Sequence, residues 1–134
     1  MAEYSSVLTF EKYIVNNIKF EANNKYENHG NTPIELAIKS KTEQKEDGFN
    51  ITLVLELFSL AEENNYPFHM ELEVTGYFKV ANNNAQIDLR PNAIAILYPY
   101  LRAIVSTYTS AANVNALILP TINVNKVLEN ETKI

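Results

Sequence analysis

Three observations predict an α+β domain: a four-stranded antiparallel sheet with a long helix and a short C-terminal helix packed on one face. Apolar residues alternate at period two as far as Val80, they recur at three and four residues beyond Ile94, and no strand pattern returns afterwards. With 134 residues, no internal repeat and no linker, the chain reads as a single domain over 1–134, large enough for a real core.

The first element is "VLTFEKYIVNNIKFE" from Val7, rich in β-branched and aromatic residues, a strand with an irregularity at Asn16-Asn17. "ANNKYENHGNTP" is composed of turn and loop formers. In "PIELAIK", Ile34, Leu36 and Ile38 alternate with polar or small residues, a half-buried second strand, and "KTEQKEDG" reads as a charged turn. The third strand, "FNITLVLELFSL", puts Phe49, Ile51, Leu53, Leu55 and Leu57 on one face, while Val54, Phe58 and Leu60 make the other face apolar too. "FHMELEVTGYFKV" alternates most cleanly, with Phe68, Met70, Leu72, Val74, Phe78 and Val80 on one side. Short loops predict an antiparallel meander.

After "ANNNAQ" the helical face is Ile94, Leu97, Leu101, Ile104, Val105 and Tyr108. Pro99 falls inside it, so the main helix is expected to start near Pro99, after a shorter turn at Ala93–Leu97. "SAANVN" ends the helix, "ALILP" is an apolar connector, and Asn123 caps a final short helix, "VNKVLENE".

Composition narrows the function. Hydrophobic residues make up 46%, a globular value, and the net charge of -5 repels phosphate backbones, which disfavours nucleic acid and suits basic or unfolded partners. The absence of cysteine removes disulfides, thiolate metal sites and a thiol nucleophile. The start "MAEYSSVLTFEKY" has neither the basic region nor the apolar core of a signal peptide, and no apolar run approaches the ~18 residues of a membrane span. The chain is therefore expected to be cytoplasmic, without membrane insertion, and its sequons at Asn50 and Asn130 to be chance.

Catalytic chemistry finds little support. His29 lies in a polar loop and His69 on the polar face of a strand; neither has a second histidine at helical or strand spacing, so no metal site is expected. Glu71 and Glu73 share a strand face ~7 Å apart and read as a solvated pair. Arg102 reads as a stem lying over apolar surface with its head in water. The three glycines form no phosphate-cradling loop. What stands out is surplus apolar surface: Leu117, Ile118, Leu119, Ile122, Val124, Val127 and Leu128 add to a helix whose one stripe already covers a small sheet. That surplus is either core or an interface or groove, with the second favoured.

The segment "NAIAILYPYLRAIVSTYTSAANVNALILPTINVNKVL" resembles the SecB family of protein-export chaperones. Tyr98-Pro99-Tyr100-Leu101-Arg102 is similar to that family's Phe-Pro-Tyr-Ala-Arg, and Leu119, Ile122, Asn123 and Val124 to its Leu-Ala-Pro-Val-Asn-Phe. "YIVNNIKFEA" resembles its first strand. The resemblance covers essentially the whole domain. It implies an ATP-independent holdase for unfolded or non-native polypeptides, with no enzymatic step and no cofactor, assembled as a homo-oligomer, a dimer of dimers packed through helices.

By position, the resemblance implies a client-binding groove of Ile34, Leu36 and Ile38 from the second strand, Tyr77 and Phe78 from the fourth, and Leu119, Ile122, Val124, Val127 and Leu128 from the end of the chain. It implies an oligomer interface of Tyr98, Tyr100, Leu101, Ile104, Val105 and Tyr108, and a sheet face for the SecA motor of Asn17, Glu21, His69 and Glu71. Asn17 stands where the family carries aspartate, the chain has no tryptophan, and Pro120 falls one position early. The family also contains relatives coupled to toxin–antitoxin systems, so an antitoxin is a second candidate partner beside SecA. A purely structural or regulatory interaction module is the alternative of another class.

Overall fold

The structure, a computed structural model, describes residues 7–81 and 87–131. Most of the polar "ANNNAQ" segment, Thr132 and the first six residues lie outside the described residues. Four strands, β1 (Leu8–Ala22), β2 (Leu36–Lys45), β3 (Gly48–Leu57) and β4 (Phe68–Val80), form one antiparallel sheet in the order β1-β4-β3-β2. A single turn of helix, α1 (Ala61–Asn64), joins β3 to β4, and α2 (Arg90–Ala111) and α3 (Val124–Glu129) follow.

The expected simple meander is corrected in one respect. β2, β3 and β4 do follow one another, but β1 pairs with β4 rather than β2. The β2–β3 and β3–β4 links are short and close hairpins, whereas the segment 23–35 is long enough to carry the chain across from one sheet edge to the other, in Greek-key order. The irregularity expected near Asn16-Asn17 is a register shift between Val15 and Asn17, and a second one falls between Phe10 and Lys12.

β2 differs from its sequence reading. It begins at Leu36, leaving Ile34 outside, and runs through the supposed turn to Lys45, so that only Glu46 and Asp47 turn. Lys41, Glu43 and Lys45 give no hydrophobic alternation because β2 is an edge strand, where outward charges guard against unwanted pairing. The second apolar face expected of β3 reduces to Val54 among Asn50, Thr52 and Glu56. Phe58 and Leu60 have left the strand with φ of 55° and 53°. Phe58 is then buried against the rings of Tyr66 and Phe68, which offsets the ~1–2 kcal/mol of a left-handed residue.

The core lies between the inner sheet face and α2. Ile51, Leu53, Leu55, Leu57, Met70, Leu72 and Val74 are fully enclosed beneath Ile94, Leu97, Leu101 and Val105, each worth ~1.5–3 kcal/mol on burial. Gly76 occupies an inner-face position where a Cβ would fall 3.1 Å from Leu97 Cδ1, so its bareness lets the helix rest on the strand. The expected start of α2 near Pro99 is also corrected: the helix is continuous from Arg90 and Pro99 lies inside it. Pro91 takes the first-turn place, the Asp88 carboxylate accepts the Arg90 N–H at 3.1 Å, and the carbonyl that Pro99 leaves free belongs to solvent-exposed Ala95. The end within "SAANVN" holds, and Asn123 Oδ1 accepts the Lys126 N–H at 3.2 Å to cap α3 as expected. Among the described residues no helix is long and apolar enough to cross a membrane.

Candidate functional site

A groove of about 460 Å3 opens between the crossover segment 23–35 and the connector from α2 to α3. Its apolar lining is Tyr26, Ile34, Phe58, Phe68, Val114 and Leu117, and its rim carries the amides and hydroxyl of Asn28, Asn31, Thr32 and Asn115. The crossover wall is held by asparagines. Buried Asn23 donates from Nδ2 to the carbonyls of Tyr66 (2.8 Å) and Ala61 (3.2 Å), and its own N–H donates to the Pro67 carbonyl. Asn65, itself left-handed, takes the Glu27 N–H on Oδ1 and donates to the Glu27 carbonyl from Nδ2. A segment of loop formers is in this way made a fixed wall.

The connector wall hangs from α2. Leu117 donates its N–H to Thr109 Oγ1 at 3.0 Å and accepts from Ser106 Oγ at 2.8 Å, and the Tyr98 hydroxyl donates to the Pro120 carbonyl. Burial pushes the Tyr98 phenol above its ordinary pKa, with nearby Arg102 pulling the other way. Ile118, next to Leu117, is 70% exposed, and Ile34 is 40% exposed. At the far end of α3, Glu131 accepts from Arg90 and Thr42, and Arg90 also grips Asp88, whose carboxyl it holds below the usual range.

The residues expected in the groove are only partly together. Ile34 lines it; Leu36 and Ile38 lie half-buried on the inner face of β2. Phe78 is in the core, while Tyr77 points to the opposite sheet face beneath Lys12, 5.0 Å from its ring centre. Leu119 and Val127 are enclosed within the chain, and Ile122, Val124 and Leu128 pack half-buried against the core margin. Tyr26, Phe58 and Val114 are lining residues that sequence reasoning missed. A tyrosine inside an asparagine-rich loop was the one available signal.

A second apolar surface runs along α2 and β1. Tyr13, Tyr100, Ile104 and Tyr108 line an open depression of about 400 Å3, with the Tyr13 and Tyr100 rings 4.8 Å apart. Of the expected interface residues, Tyr98, Leu101 and Val105 are buried by the chain itself, whereas Tyr100 and Tyr108 remain open. Beside them, Tyr13, Val15 and Ile18 on the inner face of β1 are each more than a third exposed. β1 stands at the end of the strand order, so from Thr9 to Ala22 its outer edge meets no further strand among the described residues.

The outer sheet face gathers the remaining candidates. Asn17 is opposite Glu73 and Glu21 opposite His69 in the β1–β4 ladder, with Glu71 two residues beyond His69 on the same face. His69 Nε2 lies 2.9 Å from Glu56 Oε2 and 4.0 Å from Glu71 Oε1. Asn16, thrown out of register by the bulge, donates to Thr75 Oγ1 at 2.7 Å and to Glu73 at 3.2 Å. Arg102 is half-buried and makes no ion pair among the described residues.

Comparison with known proteins gives a consistent picture. A family model described as preprotein translocase subunit SecB matches residues 2–133. The uncharacterised protein MJ0357 of Methanocaldococcus jannaschii is 30% identical over 129 residues, covering 92% of this chain and 83% of its own. Among solved structures, the Mycobacterium tuberculosis Rv1957 SecB-like chaperone, in complex with a ChAD peptide from the Rv1956 HigA1 antitoxin, has the same fold: the TM-score is 0.69 at 14% identity, over 87% of this chain and 90% of that one. A Streptococcus agalactiae protein of unknown function is similar at a TM-score of 0.50 and 15% identity, over 85% of this chain and 97% of that one.

Proposed function

The chain belongs to the SecB family, and from that premise we propose that it is an ATP-independent holdase that shelters unfolded polypeptide in the groove between the crossover and the connector. One observation carries this reading: the groove has an aromatic and aliphatic floor under an amide rim, with exposed Ile34 in its lining. Apolar contacts of this kind hold side chains without reading their order, and rim amides satisfy an extended backbone. No chemical step belongs to the reading; it is binding alone.

The holdase works as a homo-oligomer, a dimer of dimers. Support comes from the open edge of β1 beside the exposed rings of Tyr100 and Tyr108, apolar surface that water disfavours and a second copy removes. Several grooves on one assembly then act together on one long client. SecA is the motor partner that the carboxylates Glu21, Glu56, Glu71 and Glu73 on the outer face suit; a dedicated antitoxin client is the second reading, favoured by the peptide bound to the Mycobacterium tuberculosis relative.

The test is titration with a chemically unfolded, non-aggregating polypeptide, followed by size-exclusion chromatography with light scattering. Burying an isoleucine is worth ~1.5–3 kcal/mol, and ~1.4 kcal/mol is tenfold in affinity. Ile34→Asp is therefore expected to weaken binding about tenfold or more and Val114→Asp, on the facing wall, to add to it. Unchanged affinity in both would remove the groove from the account, and binding of one antitoxin peptide with indifference to unfolded chains would select the dedicated reading.

A further inference from the structure

Glu56, His69 and Glu71 occupy the outer sheet face, away from the groove and from α2. The β3–β4 register brings them together: Glu56 and Glu71 are directly opposite, and His69 precedes Glu71 by two residues on the same face. One donor atom from each lies within 4.8 Å of the others. Opposed carboxylates repel, yet among the described residues neither glutamate has a lysine or arginine within 4.0 Å, and each is paired with His69 alone. Lys19, across the ladder from Glu71, turns instead to Glu21 at 3.8 Å.

We infer that these three residues form a site for a divalent transition-metal ion, Zn2+ or one of similar softness, held by His69 Nε2 and one oxygen from each glutamate. A four-coordinate ion with bonds of ~2.0–2.2 Å keeps its ligand atoms ~3.3–3.6 Å apart, and the contacts of 2.9 and 4.0 Å from His69 bracket that span. Small side-chain rotations bring the three donors to it. One imidazole with two carboxylates selects zinc, cobalt or nickel over calcium or magnesium, which want a shell of oxygens. The His69 side chain is 18% exposed and the glutamates 38% and 40%, so an ion reaches the site from solvent and water completes its coordination. Positive charge between Glu56 and Glu71 also removes their repulsion. The expectation of no metal site looked for a second histidine along the chain, and spacing along one strand does not reveal a ligand on the next.

The experiment is calorimetric titration of the full chain with ZnCl2 in a non-chelating buffer, repeated on His69→Asn, Glu56→Gln and His29→Asn. The expected result is saturable binding of one ion per chain, weakened at least ~10–100-fold in the first two variants, the scale of losing even a supporting partner of a metal ligand. His29→Asn, in the separate exposed pair with Glu27, should bind as the parent does. Co2+ supplies a second readout: visible d–d absorption that His69→Asn abolishes. If His69→Asn fails to fold by circular dichroism, Glu56→Gln and the Co2+ spectrum of the parent decide. No saturable binding, binding undiminished by Glu56→Gln, or loss confined to His29→Asn would each overturn the assignment.

Discussion

Replacing Thr109 by valine removes one hydroxyl and leaves the shape of the side chain. Thr109 is fully buried; its Oγ1 donates to the Val105 carbonyl at 2.8 Å and accepts the Leu117 N–H at 3.0 Å. The Val105 carbonyl keeps its place in the helix ladder, so that loss is small. The Leu117 N–H has no such reserve and is left unsatisfied next to a methyl group, at a cost of ~1–3 kcal/mol. With ~1.4 kcal/mol per factor of ten, the connector should open roughly 5–150-fold more often. Hydrogen exchange at the Leu117 amide reads this directly: it should quicken by that factor in Thr109→Val, recover in Thr109→Ser, and stay unchanged at Leu101 and Val105 in the middle of α2. Because Leu117 lines the groove, affinity for unfolded polypeptide should fall in step. An unaltered Leu117 exchange rate would refute the reasoning and leave the wall to Tyr98 and Ser106.

Two further expectations concern stability. A Cβ at Gly76 would meet Phe78 Cε2 at 2.9 Å, and that ring is held between Phe10 and Phe49, so Gly76→Ala should lower the unfolding free energy, read by urea titration at fixed protein concentration, by a net ~1–2 kcal/mol; a variant at least as stable as the parent would show that α2 does not rest on β4 as described. The Tyr98 phenol, raised by burial above its ordinary value of 10.0, stabilises the fold fully below pH ~10, and this contribution is lost as pH climbs through the folded-state pKa, where the unfolded chain ionises first; Tyr98→Phe should flatten the fall in stability above pH ~10, and an unchanged alkaline slope would refute the assignment.

What could be read from the sequence follows the range of the forces involved. β4 was legible to the residue, Phe68–Val80, because one face is core and the other solvent, and the Asn123 cap because capping is local. The bulge at Asn16 showed as two asparagines in an otherwise strand-like run. The β1–β4 pairing was not legible, since nothing within either strand names its partner. The charged half of β2 was lost because an edge strand needs no hydrophobic alternation, and Pro99 misled because only the fold reveals that Ala95 faces water. The groove was half legible for the same reason. Its connector side is apolar in sequence, but its crossover side is polar loop made rigid by Asn23 and Asn65. Tyr77 and Phe78 are adjacent in β4 and so face opposite sides of the sheet, which a match by position does not register.

The Greek-key order also sets the timetable of synthesis. β1 leaves the ribosome first and pairs last, because β4, its neighbour in the sheet, is made only after β2 and β3. At ~5–20 residues per second the wait is some seconds. Through that interval Tyr13, Val15, Ile18 and Phe20 travel on an unpartnered strand, while β2 and β3 can already close their hairpin. During its own birth the chain is the kind of unfolded polypeptide that it is proposed to shelter, and it would be the first available client of a finished copy nearby.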